Sequence, residues 1–240
     1  MNLHETLRKI ATDFNLNPDE LIRYADADTI GGWNSDETQA TFPCGSIWGV
    51  EGQILYALMR ATRPAQILEL GAYKGCSRTH LEAATYANKL GDITSVDIAY
   101  EADFNMDAAK YLRTSDSTWD LIFEDTDHSM ELTRDIWSLA VPLLNPGGII
   151  VSHDALHFDA GVNVRAGIEA AGYASHNYLT APSDCGLAIW RKPLDTTVST
   201  RKSVTKTPPR KTKSPATKLA AKRQAEVVKV EVDRISRGEN

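Results

Sequence analysis

Short apolar runs alternate with longer amphipathic stretches through the middle of the chain. The runs predict four buried strands, at 66–70, 92–96, 119–124 and 148–152. Helical periodicity predicts helices at 76–90, 129–144 and 162–171. Strands that alternate with helices of this length are typical of a doubly wound α/β domain with a mostly parallel sheet.

The flanking regions add further predicted elements. Asn17-Pro18-Asp19-Glu20 is a favourable helix start, and 50–61 predicts a helix that leads into the first strand. Two runs, 173–180 and 186–191, predict a terminal antiparallel hairpin. Only ten positions separate Asp97 from Asp107, so the sheet must be shortened after its second strand.

The 240 residues divide into three predicted parts. Residues 1–45 form an N-terminal helical cap and 46–193 form the α/β domain. Residues 194–240 form a tail rich in Thr, Ser, Pro, Lys and Arg, a composition that does not bury a core and is typical of disorder. Within the tail, 218–237 favours a helix while 228–232 alternates like a strand, and both interpretations stay open.

The net charge of −6 conceals two regions of opposite sign. Residues 1–190 carry 12 Lys/Arg and 27 Asp/Glu, a balance of −15, whereas 191–240 carry 14 and 5, a balance of +9. An acidic body is a poor surface for nucleic acid. The tail is a solvated linker by default, and tethering to nucleic acid through it is the minority interpretation.

Three features bear on location. No apolar run reaches the roughly 18 residues of a membrane span, and the first residues lack the apolar segment of a secretory signal. The three cysteines, Cys44, Cys76 and Cys185, are far apart and form no C-x-x-C pair. We therefore expect a cytoplasmic protein with reduced thiols and no membrane contact.

The stretch Glu69-Leu70-Gly71-Ala72-Tyr73-Lys74-Gly75-Cys76-Ser77 carries the first chemical signal. A strand that ends in an acid and runs into G-x-x-x-G brings backbone close to a ligand, and the helix that follows offers free N–H groups. Tyr73 stands where the dinucleotide fingerprint G-x-G-x-x-G needs glycine, so that fingerprint fails.

Two acids extend this signal. Asp97 ends the second strand, where a carboxylate can accept both ribose hydroxyls of a nucleoside. Asp107 precedes Ala108 at the start of a predicted helix, and a helix cap is an equally good interpretation of it. The order of these groups resembles class I methyltransferases. That resemblance implies S-adenosylmethionine as cofactor, with contacts from Glu69, Gly71, Ala72, Tyr73, Gly75, Ser77, Asp97, Asp107 and Asp125.

The second signal lies at 120–129 and 143–154, which read DLIFEDTDHS and LLNPGGIIVSHD. Together they resemble a bacterial group of class I methyltransferases with the pattern D-G-D-H-S-Y…P-L-L-x-P-G-G…H-D. They are similar, more distantly, to the macrocin, catechol and caffeoyl-CoA O-methyltransferases. The resemblance covers roughly 45–190. Thr126 and Met130 depart from it, standing where the group has a small residue and Tyr.

In the metal-dependent O-methyltransferases, acids at these places hold a magnesium ion that orients a substrate hydroxyl. The resemblance places the metal ligands at Asp125, His153 and Asp154, and the catalytic groups at His128 and Asp125. An imidazole beside carboxylates suits manganese, iron or zinc better than magnesium. His128 near neutrality is a candidate general base. Asp127, His128 and Ser129 have the alternative roles of helix caps and a packed side chain.

The prediction is therefore methyl transfer from S-adenosylmethionine to a hydroxyl of a small molecule or sugar, with Mg or Mn as a candidate ion. One alternative is a catalytically silent cofactor-binding module whose basic tail recruits a partner. Another chemistry on the same scaffold is a third, since fold does not fix function. The acceptor is not readable, and a homodimer is left open.

Overall fold

The computed structural model describes residues 2–28, 30–31, 45–179 and 185–194, all within the unit Met1–Ser199. Its helices are α1 (Leu3–Phe14), α2 (Pro18–Asp26), α3 (Gly49–Thr62), α4 (Cys76–Asn88), α5 (Ala108–Thr114), α6 (Met130–Leu143) and α7 (Gly161–Ala170). Its strands are β1 (Gln66–Leu70), β2 (Asp92–Asp97), β3 (Phe104–Asn105), β4 (Trp119–Glu124), β5 (Leu144–Ser152), β6 (His176–Tyr178) and β7 (Leu187–Arg191).

The strands form one seven-stranded sheet in the order β3-β2-β1-β4-β5-β7-β6. The pairs from β3 to β5 are parallel, whereas β7 pairs antiparallel with both β5 and β6. The predicted α/β fold, with its mostly parallel sheet and antiparallel C-terminal pair, is confirmed.

Both faces of the sheet are covered, which is why its central strands are apolar at nearly every position. Alternate residues of β4 enter different cores: Leu121 and Phe123 join one cluster, and Ile122 joins the other. The first cluster contains side chains of α1 to α4, and the second contains side chains of α5 to α7. The helices therefore form layers on both sides of the sheet.

The first two helices share their core with the sheet. Leu7, Ile10 and Leu21 are fully buried in the same cluster as residues of β4 and β7. Asn17 caps α2 as predicted, because its side chain accepts from the N–H groups of Asp19 and Glu20. The Tyr178 hydroxyl of β6 donates to Asp13 of α1 at 2.6 Å.

The sheet is shortened where the sequence requires it. No helix separates β2 from β3 in this described stretch, and β3 has only two residues, paired as Val96↔Phe104 and Asp97↔Asn105. The connection is fastened instead by Asp103, whose carboxylate accepts from the backbone N–H and hydroxyl of Ser95 at 3.0 and 3.1 Å.

One boundary differs from the prediction. The predicted helix 129–144 and the predicted strand 148–152 leave 145–147 as a connection between them, yet β5 begins at Leu144. Tertiary bonds extend the strand: the Asn145 amide donates to Asp120 at 2.7 Å, and Gly147 N–H donates to the Lys192 carbonyl at 3.0 Å. Local turn chemistry is outweighed by pairing across the sheet.

Within the described ranges, no helix is both long enough and apolar enough to cross a membrane. Cys44, the hairpin connection 180–184 and the tail beyond Leu194 lie outside the described residues.

Candidate active site

Four parallel strands end at the same edge of the sheet. The register aligns Leu70 with both Val96 and Glu124, and Glu124 with Ser152. The residues that follow these positions therefore meet at one place, which in open α/β sheets is where ligands bind. They are Gly71, Asp97, Asp125 and His153.

The two glycines of the loop after β1 are required for different physical reasons. Gly71 has φ +85°, and a Cβ there would lie 1.9 Å from the Asp125 carbonyl oxygen. Gly75 has φ +88° and faces open space, since the first atom a Cβ would meet is Arg78 Cβ at 4.0 Å. Gly75 N–H closes the turn on the Ala72 carbonyl at 2.9 Å. Gly71 thus seats the loop on β4, and Gly75 leaves room for a ligand.

Glu69 is fully buried beneath this loop. Its carboxylate accepts from the Ser77 hydroxyl at 2.8 Å and lies 3.6 Å from the Arg78 guanidinium. Burial raises the pKa of Glu69 to about 7, although Arg78 and Ser77 act in the opposite direction. Glu69 and Ser77 are therefore hydrogen-bonded to each other, and the pair supports the loop from beneath.

Asp97 lies at the carboxyl end of β2 and organises the loops on either side. One oxygen accepts from Tyr73 N–H at 2.9 Å, and the other accepts from the N–H groups of Ala99 and Tyr100 at 2.7 and 2.8 Å. Asp97 is 9% exposed. Because an ionised carboxylate can accept about four hydrogen bonds, one further donor can still be accommodated.

Asp107 is the N-cap of α5, since its side chain accepts from Lys110 N–H at 2.7 Å. Its neighbour Met106 donates through its backbone to the Asp97 carbonyl at 3.0 Å. Asp107 therefore lies next to the end of β2, and its capping role is the one that the side-chain contacts show.

The ends of β4 and β5 bring together Asp125, His128, His153 and Asp154. His128 Nε2 is 2.7 Å from Asp154 Oδ2 and 3.5 Å from Asp125 Oδ1. His153 Nδ1 is 3.1 Å and 3.3 Å from the same two oxygens. Asp127, by contrast, accepts from Ser129 N–H at 2.8 Å and closes a local turn before α6. We call the four convergent side chains the imidazole cluster.

The ionisable side chains of the imidazole cluster shift one another's pKa values. Burial disfavours the charged form of His128, but Asp125 and Asp154 outweigh it and raise its pKa to about 10. The pKa of His153 is likewise raised, against burial, by Asp125 and Glu51. The carboxyl pKa values of Asp125 and Asp154 are lowered, because the imidazoles overcome the effect of burial.

Glu51, on the first turn of α3, is a functional candidate to which the sequence analysis assigned no role. Its carboxylate accepts from His153 Nε2 at 2.9 Å and from the N–H groups of Trp48 and Gly186. Glu51 is 1% exposed and lies 102 positions before His153. An acid in a first helical turn is ordinary, so no local signal distinguished it.

Thr126 departs from the family pattern for a visible reason. Its hydroxyl donates to the buried Glu124 carboxylate at 2.6 Å, and its N–H donates to the same oxygen at 3.2 Å. Burial raises the pKa of Glu124, whereas the bonds from Thr126 and Ser152 lower it. Thr126 therefore satisfies a buried acid that a glycine or alanine would leave with fewer donors.

Among the described residues, two groups of side chains have the composition and spacing of a metal site. The donor atoms of Asp125, His128 and Asp154 all lie within 4.8 Å of one another, as do those of His153, Asp154 and Cys185. The three predicted ligands, Asp125, His153 and Asp154, are thus brought together. The His128 ring lies about as close to the two carboxylates as the His153 ring does.

Comparison with known families places a methyltransferase-like segment across this site. Residues 100–155 match the profile of a family described as a methyltransferase domain. The segment runs from β3 to the end of β5 and includes the imidazole cluster. A search of curated protein sequences found no match.

Solved structures with a similar chain path are methyltransferases of low sequence identity. One is PaMTH1 of Podospora anserina bound to SAH, with 17% identity, 80% of this chain and 96% of that chain covered, and a TM-score of 0.49. Another is the O-methyltransferase TomG of Streptomyces achromogenes in complex with SAM, with 22% identity, 71% and 87% coverage, and a TM-score of 0.46. The family match, which contains the cluster, is what supports an enzyme of the methyltransferase class.

Proposed function

We propose that this protein transfers a methyl group from S-adenosylmethionine to a hydroxyl of a small molecule or sugar. The observation that carries the proposal is the direct contact between two parts of the site. Gly71 of the loop after β1 packs against the Asp125 backbone of the imidazole cluster. A ligand held on the loop would therefore present its reactive group to the cluster.

The loop and its surroundings fit the proposed cofactor. Gly75 leaves open space, and no side chain in the described residues caps α4, so the first N–H groups of that helix are available to the cofactor carboxylate. Asp97 would accept from the ribose, and the Asp107–Ala108 turn would face the adenine. Tyr73, Ala72 and Gly71 would line the methionine portion, while Glu69 and Ser77 would support the loop from beneath.

Methyl transfer to oxygen needs an acceptor held in line with the sulfonium and a group that takes its proton. The imidazole cluster lies at the edge where the acceptor would enter, and a third of the His128 side chain is exposed there. A pKa of about 10 keeps the free imidazole of His128 protonated near neutral pH, so His128 would act as the base only once an ion on the carboxylates lowers that pKa. A divalent ion on Asp125, Asp154 and His153 would supply a Lewis acid that lowers the pKa of the hydroxyl. Two orphaned imidazole nitrogens in the cluster fit such an ion.

A silent cofactor-binding module is the less favoured function. The family match spans the cluster as well as the adjoining strands, and binding alone would not require four ionisable groups beside the loop. Burying charged groups is costly unless they are paired.

Calorimetry with S-adenosylhomocysteine tests the cofactor assignment, with NAD as the comparison ligand. We expect S-adenosylhomocysteine to bind and NAD not to bind. Incubation with methyl-labelled S-adenosylmethionine and fractionated small metabolites then tests the chemistry, with mass spectrometry to locate the label on oxygen. Tight NAD binding without a response to S-adenosylhomocysteine would overturn the cofactor, and label on nitrogen or carbon would overturn the hydroxyl acceptor.

A further inference from the structure

The structure points to a transition-metal site in which both histidines of the imidazole cluster are ligands. We infer that Asp125, His128, His153 and Asp154 bind one divalent ion of the zinc, manganese or iron class. This set differs from the oxygen ligands of a magnesium site, and it assigns His128 to the ion. The inference rests on the proposed function for its catalytic meaning, but metal binding can be measured without it.

The cluster has short distances without hydrogen bonds. His128 Nε2 and His153 Nδ1 are buried atoms that have no hydrogen-bond partner among the described residues, although carboxylate oxygens lie 2.7–3.5 Å away. Nitrogen and oxygen ligands about 2.0–2.2 Å from one ion lie roughly 3–3.5 Å from each other. The four nitrogen–oxygen separations in the cluster, 2.7–3.5 Å, are close to this spacing.

Glu51 prepares His153 for this role. It accepts from Nε2 of His153 at 2.9 Å, so Nε2 carries a proton and Nδ1 is left to face Asp125 and Asp154. His153 is 3% exposed, which makes its orphaned Nδ1 a nitrogen aimed into the cluster from the protein interior. Histidines that bind metals commonly donate their other ring N–H to a carboxylate in this way.

The types of donor atom select the ion. Magnesium prefers oxygen ligands and an octahedral shell that includes several waters. Two imidazole nitrogens with two carboxylate oxygens suit zinc, iron or manganese. Cys185 also lies near His153 and Asp154. However, its sulfur accepts from the Trp48 indole at 3.3 Å, so Cys185 is not part of the proposed ligand set.

The full chain, stripped of metal with a chelator, can be titrated calorimetrically with Mg²⁺, Mn²⁺ and Zn²⁺. Co²⁺ serves as a spectroscopic probe, because its visible absorption reports nitrogen coordination. We expect one ion per chain, Zn²⁺ or Mn²⁺ bound at least tenfold more tightly than Mg²⁺, and a visible Co²⁺ band. His128→Gln should weaken binding at least tenfold and alter the band.

His4→Gln is the matched control, because His4 forms a 2.8 Å contact with Asp26 that is exposed and separate from the cluster. It should leave binding unchanged. Glu51→Gln, checked for folding by its melting curve, should weaken binding without removing a ligand.

Three results would overturn the inference. They are no binding by the stripped protein, Mg²⁺ binding as tight as Zn²⁺ binding, or metal binding that survives His128→Gln unchanged. Binding of S-adenosylhomocysteine is measured in the same samples. If it fails while Zn²⁺ binds as expected, the proposed function is wrong and the metal site stands.

Discussion

Two sets of buried carboxylates at the same sheet edge, Glu69 and the pair Asp125 and Asp154, have pKa values shifted in opposite directions. In the loop half, formed by β1, α4 and β2, burial raises the pKa of Glu69 to about 7. In the imidazole half, at the ends of β4 and β5, the carboxyl pKa values of Asp125 and Asp154 are lowered despite burial. All three groups are carboxylates, and their partners differ. Glu69 accepts from a hydroxyl and has a guanidinium 3.6 Å away, whereas the aspartates face two imidazoles.

Under the proposed function, the difference separates a cofactor-binding surface from a reactive one. The loop half presents the backbone of the loop after β1, which Asp97 fixes by accepting from the N–H groups of Tyr73, Ala99 and Tyr100. Backbone groups hold a ligand without exchanging protons. The imidazole half consists of side chains that can exchange protons or bind an ion. We therefore expect substitutions in the first half to change cofactor affinity, and substitutions in the second half to change turnover.

The largest expected effect is on turnover. His128→Ala and Asp154→Asn should each lower methyl transfer by about 10²–10⁴-fold, because they remove a base or an ion ligand from the reacting group. The dissociation constant of S-adenosylhomocysteine should change less than about threefold, since these side chains lie outside the loop. Labelled-methyl transfer and calorimetry measure the two quantities, with His4→Ala as control. A comparable loss of S-adenosylhomocysteine affinity would contradict the assignment of binding to one half and turnover to the other.

The second prediction concerns Glu69 and pH. Because its folded pKa is about 7 against an ordinary 4.5, the folded state holds its proton more tightly, and stability falls as pH rises from 4.5 to 7. The fall attributable to this residue is about 3 kcal/mol. Denaturant unfolding at pH 5 and pH 8 should show that Glu69→Gln reduces this dependence. An unchanged pH dependence in the variant would show that Arg78 keeps Glu69 ionised.

The third prediction concerns Asp97. Asp97→Ala should weaken S-adenosylhomocysteine binding about ten- to a hundredfold, the effect of losing hydrogen bonds to a charged acceptor worth about 1.5–3 kcal/mol. Asp92→Ala is the matched control, because Asp92 begins the same strand at the opposite edge and is exposed. Equal effects of the two variants would mean that the loss comes from the strand and not from the ligand edge.

The smallest expected effect comes from the brace of the shortened connection. Asp103→Ala removes the acceptor of two Ser95 donors and a 3.8 Å ion pair with Arg78, and should cost about 1–3 kcal/mol of stability. Cofactor affinity should fall only a fewfold. Asp103→Asn keeps an acceptor for Ser95 and should recover most of the stability. If exposed Asp116→Ala has the same effect, the brace has no special role.

The sequence predicted most of the strands and helices, and it placed the residues of the loop half near one another. The strands 66–70 and 119–124 were predicted with their observed bounds, because an apolar run buried on both faces has few alternatives. Glu69, Ser77 and Arg78 lie within ten positions of each other, so strand, turn and helix suffice to bring them together. The short spacing between Asp97 and Asp107 predicted a shortened sheet, and the structure has the two-residue β3 there.

The contacts in the imidazole half could be seen only in the packed fold. The parallel register of β4 and β5 was needed to show that His128 lies 2.7 Å from Asp154, and packing of α3 was needed to bring Glu51 to His153. Gly71 was predicted as ligand space, but a Cβ there would meet the Asp125 backbone instead. Such contacts join residues 26 to 102 positions apart, and a pattern of neighbouring residues carries no information about pairs that only the packed sheet brings together.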